Sequence, residues 1–265
     1  MSIKDLLETV DDRIEIGKLA IDSDSCIFKA CHRYKDNWNI ELAYMDFMFQ
    51  IGTIQNKCYQ RLAKIEEIKI CLTSSTNFRY EIYPEYKANR KKIVDKDALQ
   101  LKERVKELKK VIYQRVKSLV LVGSVYEADD YMIQLSEKGW ILAAIDKDVI
   151  NASRTSCYDY NKSEWIDGKD IADIAEWYLI QAITGDNTDG IPGCKGKGIK
   201  FAEKFIQEIK DGTKEFSDYV DLFPAPEDCL LMNRLVRMNQ HDSDGNLKLC
   251  TINDINDDIE MLSVF

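Results

Sequence analysis

The chain is short of histidine: it has two in 265 residues, His32 and His241, which lie near opposite ends. A histidine general base is therefore a poor candidate, and any chemistry falls to carboxylates with a hard metal ion. Its eight cysteines, Cys26, Cys31, Cys58, Cys71, Cys157, Cys194, Cys229 and Cys250, include no C-x-x-C pair. That scatter argues against structural zinc and disulfides and predicts reduced, mostly buried thiols. Long apolar runs are also missing, since SLVLVG and WILAAI are far too short to span a bilayer. The opening MSIKDLLETVDDRIEIGK has no continuous apolar segment of signal-peptide type, so a cytoplasmic protein without a membrane partner is expected.

A net charge of −9 discourages a nucleic-acid reading until its distribution is considered. From Lys87 to Lys117 there are 12 Lys/Arg against 4 Asp/Glu, a local balance of +8. A basic segment on an acidic body suits a polyanion contact beside a carboxylate-rich, cation-attracting site, although a solvated helix face has the same composition.

Four short apolar, β-prone runs stand out: KLAI (18–21), IKICL (68–72), SLVLV (118–122) and WILAAI (140–145). Helical spacing lies between them, through Leu42, Tyr44, Phe47, Phe49, Ile51 and Ile54, and again through Leu101, Val105, Leu108 and Ile112. Alternation of this kind predicts an α/β fold with a mostly parallel central sheet flanked by helices. After about residue 170 the strand signals fade, and DIADIAEWYLIQAI, FAEKFIQEIK and CLLMNRLVRM (229–238) read as helices. The tail beyond residue 240 is acidic and has no assignable element.

Acidic residues follow the strands. KLAI runs into Asp22-Ser23-Asp24, SLVLV leads to Glu127-Ala128-Asp129-Asp130, and WILAAI runs into Asp146-Lys147-Asp148. The helix ending at Ile183 delivers Asp186 and Asp189. In an open parallel sheet the carboxyl ends of the strands share one edge, so these groups are expected together. Clustered carboxylates repel one another unless cations occupy them or protons are retained. Mg2+ and Mn2+ suit an all-oxygen set, and two such ions can activate water and stabilise a leaving oxygen in phosphodiester cleavage.

The stretch FRYEIYPEYKANRKK (78–92) interleaves Tyr80, Tyr83 and Tyr86 with Arg79, Lys87, Arg90, Lys91 and Lys92. Such an arm contacts phosphates and stacks on unpaired bases, or is a surface loop with half-buried tyrosines. Further on, ITGDNTDGIPGCKGKGIKFAEKF (183–205) holds five of the chain's 12 glycines. Gly193, Gly196 and Gly198 with Lys195, Lys197 and Lys200 place free amides and cations at a helix start, a ready anion site, or else form an ordinary flexible loop with helix caps. It is not a P-loop, because no Ser or Thr follows the lysine.

Taken in order, these motifs resemble the flap endonuclease, or 5'-nuclease, superfamily, and most closely its bacteriophage-type 5'→3' exonucleases. TGDNTDGIPGCKGKG is similar to the element that ends the metal site and opens a helix–hairpin–helix, often with bound K+. YPEYKANR is similar to the entry of the helical arch, and EADD and the D-x-D at 146–148 to the central acidic motifs. The resemblance implies a PIN-like nuclease core over 1–180, with a basic arch at about 79–117. It also implies a helix–hairpin–helix (helix–three-turn–helix) subdomain with a helical tail over 181–265. Metal carboxylates would be Asp22, Glu127, Asp129, Asp130, Asp146, Asp148, Asp186 and Asp189, with Lys87 and Arg90 joining Asp22 and Asp146 in catalysis. DNA contacts would come from Tyr83, Tyr86, Lys87, Arg90, Lys91, Lys92, Gly193, Lys195, Gly196, Lys197, Gly198 and Lys200.

The implied activity is Mg2+- or Mn2+-dependent 5'→3' cleavage by a monomer, with two ions, of DNA with a free 5' end, nick or flap. Removal of RNA primers from RNA–DNA hybrids belongs to the same expectation, in phage-type replication or recombination in the host cytoplasm. One departure stands out: where many members carry an aspartate after the second strand, CLTSSTNFR has Thr73, Ser74, Ser75 and Thr76. The alternatives are a structure-specific DNA-binding protein with impaired catalysis and a single-stranded RNase on a related core. Asp24 has no counterpart in the resemblance and reads as a cap or an outer residue of the site.

Overall fold

The computed structural model describes residues 17–59, 61–62, 64–91 and 95–263, with only the main chain of Lys91. The N-terminal reading and Lys92 therefore lie outside the described residues. Strands β1 (Gly17–Asp22), β2 (Ile65–Cys71), β3 (Val120–Leu121) and β4 (Ile141–Ala144) form at the four apolar runs. Two further strands, β5 (Cys157–Asp159) and β6 (Glu164–Ile166), complete a six-stranded sheet ordered β3-β2-β1-β4-β5-β6. Pairing is parallel throughout except between β5 and β6. At three residues each, β5 and β6 are too short to carry a periodicity, and the sequence reading misses them.

Helices α1 (Asp24–Arg33), α2 (Ile40–Cys58) and α4 (Lys96–Val116) cover one face of the sheet. Leu19 and Ile21 of β1 point into that layer, where Phe47, Ile51, Leu108 and Ile112 meet them. The predicted stripe on α4 is realised, with Leu108 and Ile112 fully buried and Leu101 and Val105 partly so. On the other face Ala20, Leu142 and Ala144 pack against α5 (Ala128–Glu137), α6 (Lys147–Ala152) and α7 (Ile171–Thr184). Burial on both faces explains why β1 and β4 read as unbroken apolar runs.

The far end of α7 enters a third core with α8 (Ile199–Lys210), α9 (Phe216–Val220), α10 (Pro226–Val236) and α11 (Ile252–Ser263). Helix α11, unassigned from sequence, anchors through Ile255, Ile259 and Leu262. Gly185 closes α7 at φ 69, and Gly193 returns against it. A Cβ on Gly193 would stand 2.4 Å from the Gly185 nitrogen, so two main chains meet where side chains do not fit. All eight cysteines are free and buried.

A buried ion pair joins the sheet layer to this helical end. Arg79, on the short helix α3 (Phe78–Ile82), is 3% exposed. Its Nη1 and Nη2 each lie 2.8 Å from an oxygen of Asp130, while Nε and Nη2 donate to the carbonyls of Leu235 and Arg237 at the end of α10. Arg79 thus does not face solvent as a phosphate contact. Losing the guanidinium would strand a buried carboxylate and two carbonyls. Arg79→Ala should lower the free energy of chemical unfolding by about 3–5 kcal/mol; a loss under about 1 kcal/mol would contradict the pair's structural role.

Candidate active site

A cleft of about 820 Å³ opens at the carboxyl ends of the strands. It lies where the strand order reverses, between β1 and β4, the position at which open parallel sheets bind ligands. Asp22 reaches it as the last residue of β1. Asp146 follows β4 and caps α6, its carboxylate taking the Asp148 N–H at 2.8 Å. Glu127 caps α5, with Asp129 in the first turn, and Asp186 and Asp189 come from the turn after α7. Thr73, Ser74 and Ser75 line the side beneath β2.

Asp130 is not brought there. It is 1% exposed with both oxygens on Arg79, and it takes the Glu127 N–H at 2.9 Å. The expectation of Asp130 as a metal carboxylate is corrected: successive residues on a helix point about 100° apart, so Asp129 faces the cleft and Asp130 the core.

The remaining carboxylates fall into two groups. Glu127 accepts from Lys87 Nζ and Tyr86 Oη, both at 2.7 Å. Asp189 lies 2.9 Å from Tyr86 Oη and 3.4 Å from Lys87 Nζ, and it also pairs with Arg90. Lys87 holds this place with a left-handed backbone, φ 55, and its N–H donates to the Asp189 carbonyl at 2.7 Å. Burial would raise the Glu127 carboxyl, but the charges of Lys87 and Arg79 and the Lys87 and Tyr86 hydrogen bonds hold it below its ordinary range.

Among the described residues, Asp22, Asp129, Asp146, Asp148 and Asp186 make no ion pair with a side-chain cation. Burial, then the charges of Asp24 and Asp146, pushes Asp22 up to about 7. Asp129 is raised well above its ordinary range by burial and by Asp22, Asp146 and Glu127. Burial and Asp146 lift Asp148 to about 6, although Gln181 Nε2 donates to it at 2.7 Å. This is an oxygen-only donor set with uncompensated charge, the chemistry that fits a hard divalent cation. Among the described residues no three Asp, Glu, His or Cys side chains converge on one point as they stand, so closing on an ion requires side-chain adjustment.

Several participants escape sequence reasoning. Gln181 is an inward glutamine of a helix without a motif of its own. Tyr160 donates to the Asp22 carbonyl at 2.9 Å from beyond the unpredicted β5. Lys102 of the basic helix α4 lines the cleft and donates to the Arg90 carbonyl.

Among the residues expected to contact DNA, Tyr86 is corrected. It is 2% exposed, edge-on to Tyr80 at 5.4 Å, with its hydroxyl on the carboxylates, and no base can stack on it. Tyr83 is half-buried with its hydroxyl 3.1 Å from Glu85. Gly193 serves the internal contact with Gly185, whereas Gly196 and Gly198 have empty space where a Cβ would stand. Lys195 and Lys200 are exposed, and Lys197 sits 4.0 Å over the Phe201 ring.

The raised carboxyls set a sign for stability against pH. Asp148 releases its proton near 3.8 when unfolded and near 6 when folded, so over that interval the native state binds more protons and stability falls as pH rises. In EDTA, Asp148→Asn should therefore gain stability over the parent between about pH 4 and 6, by up to 2–3 kcal/mol, and level off above. Parallel pH profiles of thermal unfolding for the two proteins would contradict the assignment.

Residues 18–176 match the family model described as "5'-3' exonuclease, N-terminal resolvase-like domain". A 5'-3' exonuclease of Buchnera aphidicola subsp. Acyrthosiphon pisum (strain APS) is 31% identical over 168 residues, 58% of this chain and 56% of that protein. Flap endonuclease Xni of Pseudoalteromonas translucida (strain TAC 125) is 28% identical over 158 residues, 54% of this chain and 58% of its own. The chain thus spans a little over half the length of these curated relatives. Among solved structures, T5 5'-exonuclease with bound zinc aligns at TM-score 0.65 and 20% identity, covering 93% of this chain and 99% of that one. Bacteriophage T5 flap endonuclease, in a pseudo-enzyme-product complex with DNA and metal ions, aligns at TM-score 0.63 over 95% and 100% of the two chains. Those two share the fold, and the family match extends over more than half of the sequence: the chain belongs to the 5'-3' exonuclease family of the flap endonuclease/5'-nuclease superfamily.

Proposed function

We propose that this protein is a Mg2+- or Mn2+-dependent 5'→3' nuclease that hydrolyses phosphodiester bonds near the 5' end of duplex, nicked or flapped DNA. The observation that carries the reading is the set of five carboxylates that, among the described residues, have no cation partner at the β1/β4 switch point, rimmed by Lys87 and Arg90. Asp22, Asp129, Asp146, Asp148 and Asp186 would hold the ions. Bound there, a divalent cation supplies an activated water and neutralises charge on the cleaved phosphodiester.

The chain's own cations complete the site. Lys87 is protonated: burial opposes its charge, but Glu127 and Asp189 raise its pKa. Turned from those carboxylates toward a phosphate, Lys87 and Arg90 donate to oxygens on which charge builds. Residues 181–265 act as a duplex grip in this reading, with Lys195, Lys197 and Lys200 beside the open main chain of Gly196 and Gly198. A K+ ion at that hairpin, primer removal from RNA–DNA hybrids and a place in phage-type replication or recombination belong to the same proposal.

Incubation with 5'-flap, nicked and single-stranded substrates, in Mg2+ and in EDTA, tests it. Products from the 5' end in Mg2+ alone are expected, and absence of product from folded protein would refute the enzyme. Asp146→Asn should bind the flap substrate as the parent does while single-turnover cleavage falls at least about 10³-fold; full activity would refute the site. Lys87→Ala should slow the same step by about 10²-fold, and an unchanged rate would remove Lys87 from catalysis.

A further inference from the structure

Asp24 stands in the wall of the cleft, at the start of α1 and beside the end of β2. One carboxylate oxygen takes the Thr73 N–H at 3.2 Å, and the other lies 2.7 Å from Lys109 Nζ. Lys109 reaches in from α4 and also donates to the Thr73 carbonyl at 2.6 Å. Thr73 Oγ1 in turn accepts the N–H of Ala128, the first residue of α5, at 3.0 Å. The segment after β2, which brings hydroxyls and no carboxylate into the cleft, is thereby clamped to α1, α4 and α5. Asp24 also donates its own N–H to Asp22 Oδ1 at 3.3 Å.

The pair is therefore more than a surface salt bridge. Asp24 is the carboxylate on the β2 side of the cleft, and among the described residues Lys109 is the one cation paired with it. Their charges reach Asp22 with opposite sign, Asp24 against its ionisation and Lys109 in favour of it. Asp24 touches Asp22 and Lys109 touches Asp24, so a divalent cation among Asp22, Asp129 and Asp146 would be drawn by Asp24 and repelled by Lys109.

We infer that Asp24 and Lys109 set the affinity of this cleft for divalent cations, Asp24 supplying the negative charge that the β2 side otherwise lacks and Lys109 tempering it. Asp24 is a positioning and affinity-setting residue in this scheme, and the inference rests on the metal-dependent reading above. It accounts for a lysine held against the wall of a carboxylate cleft, and it gives Thr73 the task of fixing the pair relative to α5.

Two nearly isosteric changes separate this role from a purely structural clamp, because they act in opposite directions. Mn2+ binding is titrated by calorimetry with the full chain, without nucleic acid, at fixed ionic strength, and circular dichroism checks the fold. Asp24→Asn keeps an acceptor for Thr73 and should weaken Mn2+ by about tenfold, whereas Lys109→Met should tighten it severalfold. If Lys109→Met does not fold, Lys109→Gln, which keeps a donor for Thr73, carries the same expectation. Unchanged affinity in Asp24→Asn, or weakening in both variants, overturns the inference. Parent protein that binds no Mn2+ overturns the metal-dependent reading and this inference with it. Parent binding that Asp146→Asn abolishes and Asp24→Asn leaves intact refutes this inference alone.

Discussion

Carboxylates gathered at one edge of the sheet, raised first by burial and then by one another's charge, are the constraint around which this molecule is arranged. A parallel sheet delivers the ends of its strands to one edge, and here those ends and the turns beyond them carry acids. Left alone, such a group must keep protons that acids in water lose, as Asp22 at about 7 and Asp148 at about 6 do. The fold answers the repulsion unevenly. Asp130 is given to Arg79, Glu127 and Asp189 to Lys87, and Asp24 to Lys109, while among the described residues five carboxylates keep no cation of their own. The asymmetry makes room for an ion and at the same time stores cations beside it.

Those stored cations have different duties. Arg79 is saturated by Asp130 and two carbonyls, and its work is to join α5 to the end of α10. Lys87 and Arg90 are held by side-chain carboxylates on the cleft rim, so exchanging those partners for phosphate oxygens replaces one charge-assisted contact with another. Lys109 stays behind the wall, tied to a carbonyl as well as to Asp24. The acidity of the whole chain and the basicity of its arm are then parts of one electrostatic design.

The sheet and its edge were legible in the sequence because β1 and β4 are buried on both faces and each is followed by an acidic turn. Strands β5 and β6 were not, since three residues carry no period, and with them went Tyr160 behind Asp22. The EADD motif shows where reading by adjacency stops. Asp129 and Asp130 are chemically identical neighbours, yet a helix sends one to the cleft and the other to a buried arginine. Tyr86 illustrates the same limit: among lysines and arginines it resembles a stacking ring, but packing against Tyr80 and bonding to Glu127 and Asp189 make it a strut of the site. Thr73 to Ser75 read only as an absence, and Thr73 turns out to tie three helices to the cleft.

If an ion takes over the carboxylates that, among the described residues, lack cation partners, its binding must displace the protons they hold. Calorimetric Mn2+ titrations at pH 6 in buffers of different ionisation enthalpy report how many protons leave. Release of roughly one proton or more is expected at pH 6, and less as pH rises and Asp22 and Asp148 ionise on their own. Binding that releases no protons at pH 6 would contradict it.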